Sequence, residues 1–135
     1  MARDNDTLLR TLLGERILII DGAMGTMIQT YKLGEADYRG ARFADHPHDL
    51  KGNNDLLVLT QPKIIREIHA GYLAAGADII ETNTFGANRI KLGSFGLADK
   101  LHAINAEGAY IARKAAGTQA YVAGAIGPQI GRAHV

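Results

Sequence analysis

Apolar residues come in short blocks along this chain, and the spacing inside each block predicts an element. Leu8, Leu9, Leu12 and Leu13 fall at i, i+1, i+4 and i+5, which predicts a short opening helix ended by Gly14. Ile17-Leu18-Ile19-Ile20 is continuous and apolar, the pattern of a strand covered on both faces. It runs into Asp21-Gly22-Ala23-Met24-Gly25-Thr26, a glycine-containing turn that opens another short helix. Residues 32–61 read as a long polar stretch, and loops of that length are uncommon without a function. Pro62 then marks a helix start. Ile64, Ile65, Ile68, Tyr72 and Leu73 share one face of that helix, and Gly76 is its stop. Asp78-Ile79-Ile80 predicts a short buried strand leading into Glu81-Thr82-Asn83-Thr84. After a broken helical stretch, Leu97, Leu101, Ile104, Ile111 and Ala115 mark a longer helix. Residues 121–126 form a third strand ending at Gly127-Pro128.

Helix, strand, helices, strand, helices, strand is the order of βαβ units with a parallel sheet. No internal repeat or linker divides the chain. Its 135 residues suffice for one ordinary domain but not for a closed (β/α)₈ barrel, which needs about 250 residues. Fifteen basic against 14 acidic residues leave a net charge of +1, so no basic excess points to nucleic acid. The apolar runs are far too short to span a bilayer, and the polar N-terminus carries no signal-peptide pattern, so a cytoplasmic protein without a membrane partner is expected. The absence of cysteine excludes disulfides, a cysteine nucleophile and thiolate metal ligands within this chain. The single serine, Ser94, lacks the glycine elbow of a serine hydrolase.

Three polar clusters sit at the C-terminal ends of the strands: 21–26, 81–84 and 124–128. Parallel α/β folds bind ligands at that edge. Asp21 and Glu81 would face the same mouth. Two carboxylates there can accept from an ammonium group, while backbone N–H groups at a helix start can hold a carboxylate. That combination suits an amino acid. Structural readings stand beside it. Asp21 could cap the next helix. Gly22 and Gly25 could only make the turn, and their spacing is not that of a dinucleotide fingerprint. Asn53-Asn54-Asp55 could be an Asx turn. His46 and His48 read as solvated loop side chains, and His69 and His102 as surface or boundary residues. Tyr72 and Tyr110 fit helix packing.

Several long stretches, in order, resemble the homocysteine-binding domain of the cobalamin-dependent methionine synthase family: residues 17–29, Arg39-Gly40-x-Arg42-Phe43-Ala44-Asp45, residues 50–62, residues 74–85 and residues 122–128. Asp21 to Thr26 alone would indicate only the broader homocysteine methyltransferase family. Lys51-Gly52-Asn53-Asn54-Asp55 favours methionine synthase over relatives that use betaine or S-methylmethionine. The resemblance implies an α/β fold, an incomplete (β/α)₈ TIM barrel holding about the first three parallel strands with their helices. It implies that Asp21, the Gly22–Ala23 backbone and Glu81 hold the amino-acid end of homocysteine, joined by Thr82 and Asn83. It also implies zinc, cobalamin and methyltetrahydrofolate for a full-length enzyme, with the thiol activated on zinc held by three cysteines.

None of those cysteines is present, so no metal ligand or catalytic residue is assigned here, and the chain alone is expected to be inactive and to fold poorly. A standalone amino-acid-binding module and a barrel enzyme with a phosphate ligand remain as alternatives; the latter would need a late phosphate-binding loop. The resemblance ends at Pro128. Ile130 to Val135 reads as the translation of a common sequencing-adapter DNA, ATCGGAAGAGCACACGTC, so residues 129–135 are expected to be a non-native tail. Resequencing the locus checks this, and a genuine stop codon after Val135 would remove the idea.

Overall fold

The computed structural model describes residues 5–127, so the 129–135 tail lies outside the described residues. Two helices carry most of the packing. Helix α5 (Pro62–Ala74) starts with Pro62 in its first turn and buries Ile65, Ile68, His69 and Leu73, a stripe at i, i+3, i+4 and i+8. Helix α7 (Leu101–Ala116) buries Ile104, Gly108, Ile111, Ala112 and Ala116 and packs along α5. Its small residues let the two backbones approach closely. The α5 stop falls where the sequence places it. Gly76 takes φ +104°, and the Gly76 and Ala77 N–H groups return to the Leu73 and Tyr72 carbonyls.

Before α5 come helices α1 (Asn5–Glu15), α2 (Met24–Gln29), α3 (Glu35–Arg39) and α4 (Leu57–Thr60). Helix α6 (Arg89–Ser94) precedes α7. Helix α1 runs through Gly14 and buries no residue, so that glycine does not end it. The 32–61 stretch is more ordered than its polarity suggests. It holds α3, a 3₁₀ turn over Asn54–Leu56, and α4. Leu56, Leu57 and Val58 are fully buried in the main core with Leu50, Ile65, Leu92, Leu97 and Ile104. Each such aliphatic side chain contributes roughly 1.5–3 kcal/mol by leaving water. That gain fixes a segment whose flanks are polar.

The sheet is parallel and small. Strand β1 (Ile79–Glu81) pairs with β2 (Tyr121–Ala123) in the register Ile79–Tyr121, Ile80–Val122 and Glu81–Ala123. Strand β2 ends three residues earlier than the sequence pattern suggests, because the chain leaves the ladder from Gly124 onward. The first apolar run is the larger correction. Ile17–Ile20 contributes one parallel bridge, Ile20 to Ile79, rather than a full strand. The Asp78 and Ile79 N–H groups donate to the Ile19 carbonyl, and the Asp21 N–H donates to the Ile79 carbonyl. Ile17, Ile19 and Ile20 are 84%, 55% and 50% exposed, so the run is not covered on both faces. Only the helical side of the sheet is packed. Ile80 lies buried there with Leu73, Ala77, Ala112, Ala116 and Ala120. Because side chains alternate along a strand, Glu81 emerges on the opposite, open face.

Two further expectations change. His69 is fully buried rather than at the boundary, and Tyr110 is 57% exposed rather than packed, with the Lys114 ammonium 5.8 Å from its ring centre. Tyr72 does pack, against both clusters. His46 is half-buried rather than solvated, its Nε2 2.7 Å from the Phe95 carbonyl, while His48 is exposed.

Candidate active site

The strand ends open into one cavity of about 290 Å³. All six residues singled out in the sequence (Asp21, Gly22, Ala23, Glu81, Thr82 and Asn83) line it. Asn54, Asp55, Phe85, Gly86 and Lys91 join them, none of which the strand-end argument selects.

Asp21 ends the first apolar run. Its Oδ1 accepts the Glu81 N–H at 3.1 Å, which ties the run to β1 at the mouth. The carboxylate is therefore not a helix cap. Ala23 occupies the cap position of α2, and no side chain bonds there. Asp21 titrates above its ordinary value. Burial is the main cause, the Glu81 N–H opposes it, and the Glu81 charge adds to it. A cation between the two carboxylates would offset that repulsion. Glu81 is exposed on the open face, and its carboxylate makes no hydrogen bond among the described residues.

Gly22 has a packing reason rather than a conformational one. Its φ is not positive, but a Cβ there would stand 3.1 Å from the Tyr72 hydroxyl. That hydroxyl reaches the Ala23 carbonyl at 3.4 Å and fixes the turn against α5.

Thr82 and Asn83 are buried, and their polar groups are engaged within the fold. The Thr84 hydroxyl donates to the Ala125 carbonyl at 2.9 Å, so the Thr82 hydroxyl donates to Thr84 Oγ1 at 2.6 Å. Thr82 Oγ1 in turn accepts the Ala125 N–H at 3.0 Å. The pair thus locks the end of β1 to the segment after β2. Asn83 Nδ2 donates to the Asn54 carbonyl at 2.8 Å and draws the 3₁₀ turn to the mouth.

That turn delivers Asp55, whose side chain is only 5% exposed. Its Oδ1 accepts the Gly86 N–H at 3.0 Å, and its Oδ2 lies 3.6 Å from Lys91 Nζ. The Asx-turn reading of Asn53-Asn54-Asp55 is not what forms: the Asn54 N–H donates to the Gly52 carbonyl, and the Asp55 side chain bonds across to Gly86. The cavity wall therefore carries three carboxylates (Asp21, Asp55 and Glu81) and one ammonium (Lys91), a balance of −2 that favours a ligand bearing positive charge.

Comparison with known proteins decides the family. A profile of the family described as Homocysteine S-methyltransferase matches residues 18–133. The chain belongs to that family. Among solved structures it resembles the homocysteine methyltransferase MmuM from Escherichia coli. The oxidized form is 27% identical with a TM-score of 0.67, covering 89% of this chain and 40% of that one. The metallated form is 25% identical with a TM-score of 0.67, covering 91% of this chain and 42% of that one. The chain thus spans about two fifths of the length of these structures. The family is one of methyltransferases. Among the described residues, no helix is long and apolar enough to cross a membrane.

Proposed function

We propose that this chain is the opening portion of a homocysteine-methylating (β/α)₈ barrel and that its strand-end mouth holds the amino-acid end of homocysteine. The observation that carries this reading is the placement of Asp21 and Glu81 together on one cavity, with the Asp21 carboxylate bridging the two strand ends. The substrate ammonium sits between the two carboxylates and relieves their mutual repulsion. The Gly22–Ala23 backbone faces the substrate carboxylate, and Thr82 and Asn83 hold the walls at their separation.

The residues described do not fit a metal centre. The sequence has no cysteine, and among the described residues no group of three or more His, Asp or Glu side chains is placed to hold a metal ion. In our reading zinc, cobalamin and methyltetrahydrofolate belong to parts of a longer enzyme, and the methyl group comes from methylcobalamin. The Lys51–Asp55 stretch supports that donor over betaine or S-methylmethionine, and it forms the turn that brings Asp55 to the mouth.

The test is calorimetric titration of the chain with L-homocysteine. Asp21→Asn keeps the acceptor for the Glu81 N–H and removes only the charge. It is expected to weaken binding about 10- to 100-fold, the worth of a charged hydrogen bond, with Glu81→Gln acting in the same direction. Unchanged affinity in both variants would overturn the assignment.

A further inference from the structure

We infer that Lys91 is a specificity-determining residue of this mouth: its ammonium, stationed by the buried Asp55, takes the α-carboxylate of the amino-acid ligand. The inference rests on the proposed site and deepens it.

Lys91 is the one cationic side chain lining the cavity among the described residues. Its ammonium is 3.6 Å from Asp55 Oδ2, longer than the ordinary hydrogen-bond range of about 2.7–3.2 Å, and it makes no hydrogen bond among the described residues. Its three N–H donors are therefore unspent. Asp55 does not depend on them, because the Gly86 N–H already satisfies Oδ1. The pair leaves the Lys91 side chain 43% exposed at the cavity wall while the carboxylate behind it is buried.

The backbone around the pair is shaped to admit it. A Cβ at Gly86 would lie 2.5 Å from both Asp55 Oδ2 and Lys91 Nζ, so a side chain there would displace one or both. Lys91 is itself held in place through its backbone. Asn88 Oδ1 accepts the Lys91 N–H at 2.9 Å, and Asn88 Nδ2 donates to the Gly127 carbonyl at 3.0 Å. The first turn of α6 is thus tied to the segment after β2, which closes the same mouth.

The charges divide accordingly. Asp21 and Glu81 present negative charge at the ends of the first run and β1, whereas Lys91 presents positive charge from the α6 wall. A free α-amino acid carries both complementary groups; a simple amine lacks the carboxylate. The mouth would therefore select amino acids over amines.

A double-mutant cycle across protein and ligand tests this. The ligands are L-homocysteine and 3-aminopropanethiol, the same molecule without its carboxylate, titrated into the full chain and its Lys91→Met and Lys91→Arg variants. The original chain should bind the amine about tenfold more weakly than the amino acid. In Lys91→Met that preference should fall several-fold, to what the Gly22–Ala23 backbone alone supplies, and in Lys91→Arg it should return. Lys91→Met retaining the full preference would overturn the inference. A Lys91→Met variant that loses both ligands in equal proportion would also overturn it, because it would show a structural role. Failure of the site itself gives a different signature. N-acetyl-homocysteine would then bind the original chain as well as L-homocysteine does, whatever Lys91 contributes.

Discussion

His69 shows most clearly how a single side chain can cost stability in this fold. It is fully buried on α5, and neither ring nitrogen has a hydrogen-bond partner among the described residues. Burial lowers its pKa from 6.5 to about 4. The folded chain thus holds a neutral imidazole where the unfolded chain takes up a proton. The stability tied to that neutral ring is complete above about pH 6.5. It falls as pH drops toward 4, by up to about 1.4 kcal/mol per pH unit. His69→Leu is expected to remove that slope and to raise the thermal midpoint at every pH, because it leaves no unsatisfied nitrogen. Thermal melts at pH 4.5 and 7.5 check this, and a steeper acid loss in the variant would contradict it. The burial was legible in the chain, since His69 follows Ile65 by four residues on the same helical face. Residue type alone pointed the other way. Asp78 behaves oppositely. The Arg16 guanidinium and the Ile19 N–H hold its pKa down to about 2, so that contact survives well into acid.

At the scale of elements, the helices decide where the mouth lies. Helix α7 comes so close to the segment after β1 that a Cβ at Gly108 would stand 2.5 Å from Thr84 Cγ2, inside the hydroxyl lock of the strand ends. Gly71 on α5 has open space where its side chain would be. Gly108→Ala should therefore cost about 1–3 kcal/mol, while Gly71→Ala should stabilise by up to about 1 kcal/mol. Chemical denaturation of both variants checks the contrast, and equal effects would show that α7 can shift away. Elements set by local pattern were legible in the sequence. The Pro62 start, the Gly76 stop and the amphipathic face of α5 lie where the pattern puts them. What the pattern did not show was the order in 32–61. Leu56–Val58 is too short a run to declare an element, and it becomes helical because α5 and α7 offer it a core. The same limit hid Asp55 and Lys91. They meet across Gly86 from a turn and a helix 36 residues apart, so no periodicity links them. Asp21 and Glu81 were legible because strand ends mark themselves by a change from apolar to polar.

For the whole molecule, the packed side and the open side of the sheet divide the work. The helical layer buries two apolar clusters, whereas Ile17, Ile19, Ile20 and Ile126 face outward beside the mouth. Such an edge would be covered in a closed barrel, and in the proposed reading the described residues supply binding groups without a group that activates a thiol. The chain alone is accordingly expected to give no methionine from homocysteine with methylcobalamin, with or without added zinc, in a radiolabel assay. Turnover above the uncatalysed rate would show that this chain itself carries thiol-activating groups. The central claim, that the Asp21–Glu81 mouth takes the amino group of homocysteine, is tested most directly by a residue-resolved ¹H–¹⁵N NMR titration. The amides of residues 21–25 and 81–83 should shift saturably with L-homocysteine and stay in place with N-acetyl-homocysteine. Equal shifts with both ligands, or shifts confined to residues away from the mouth, would contradict it.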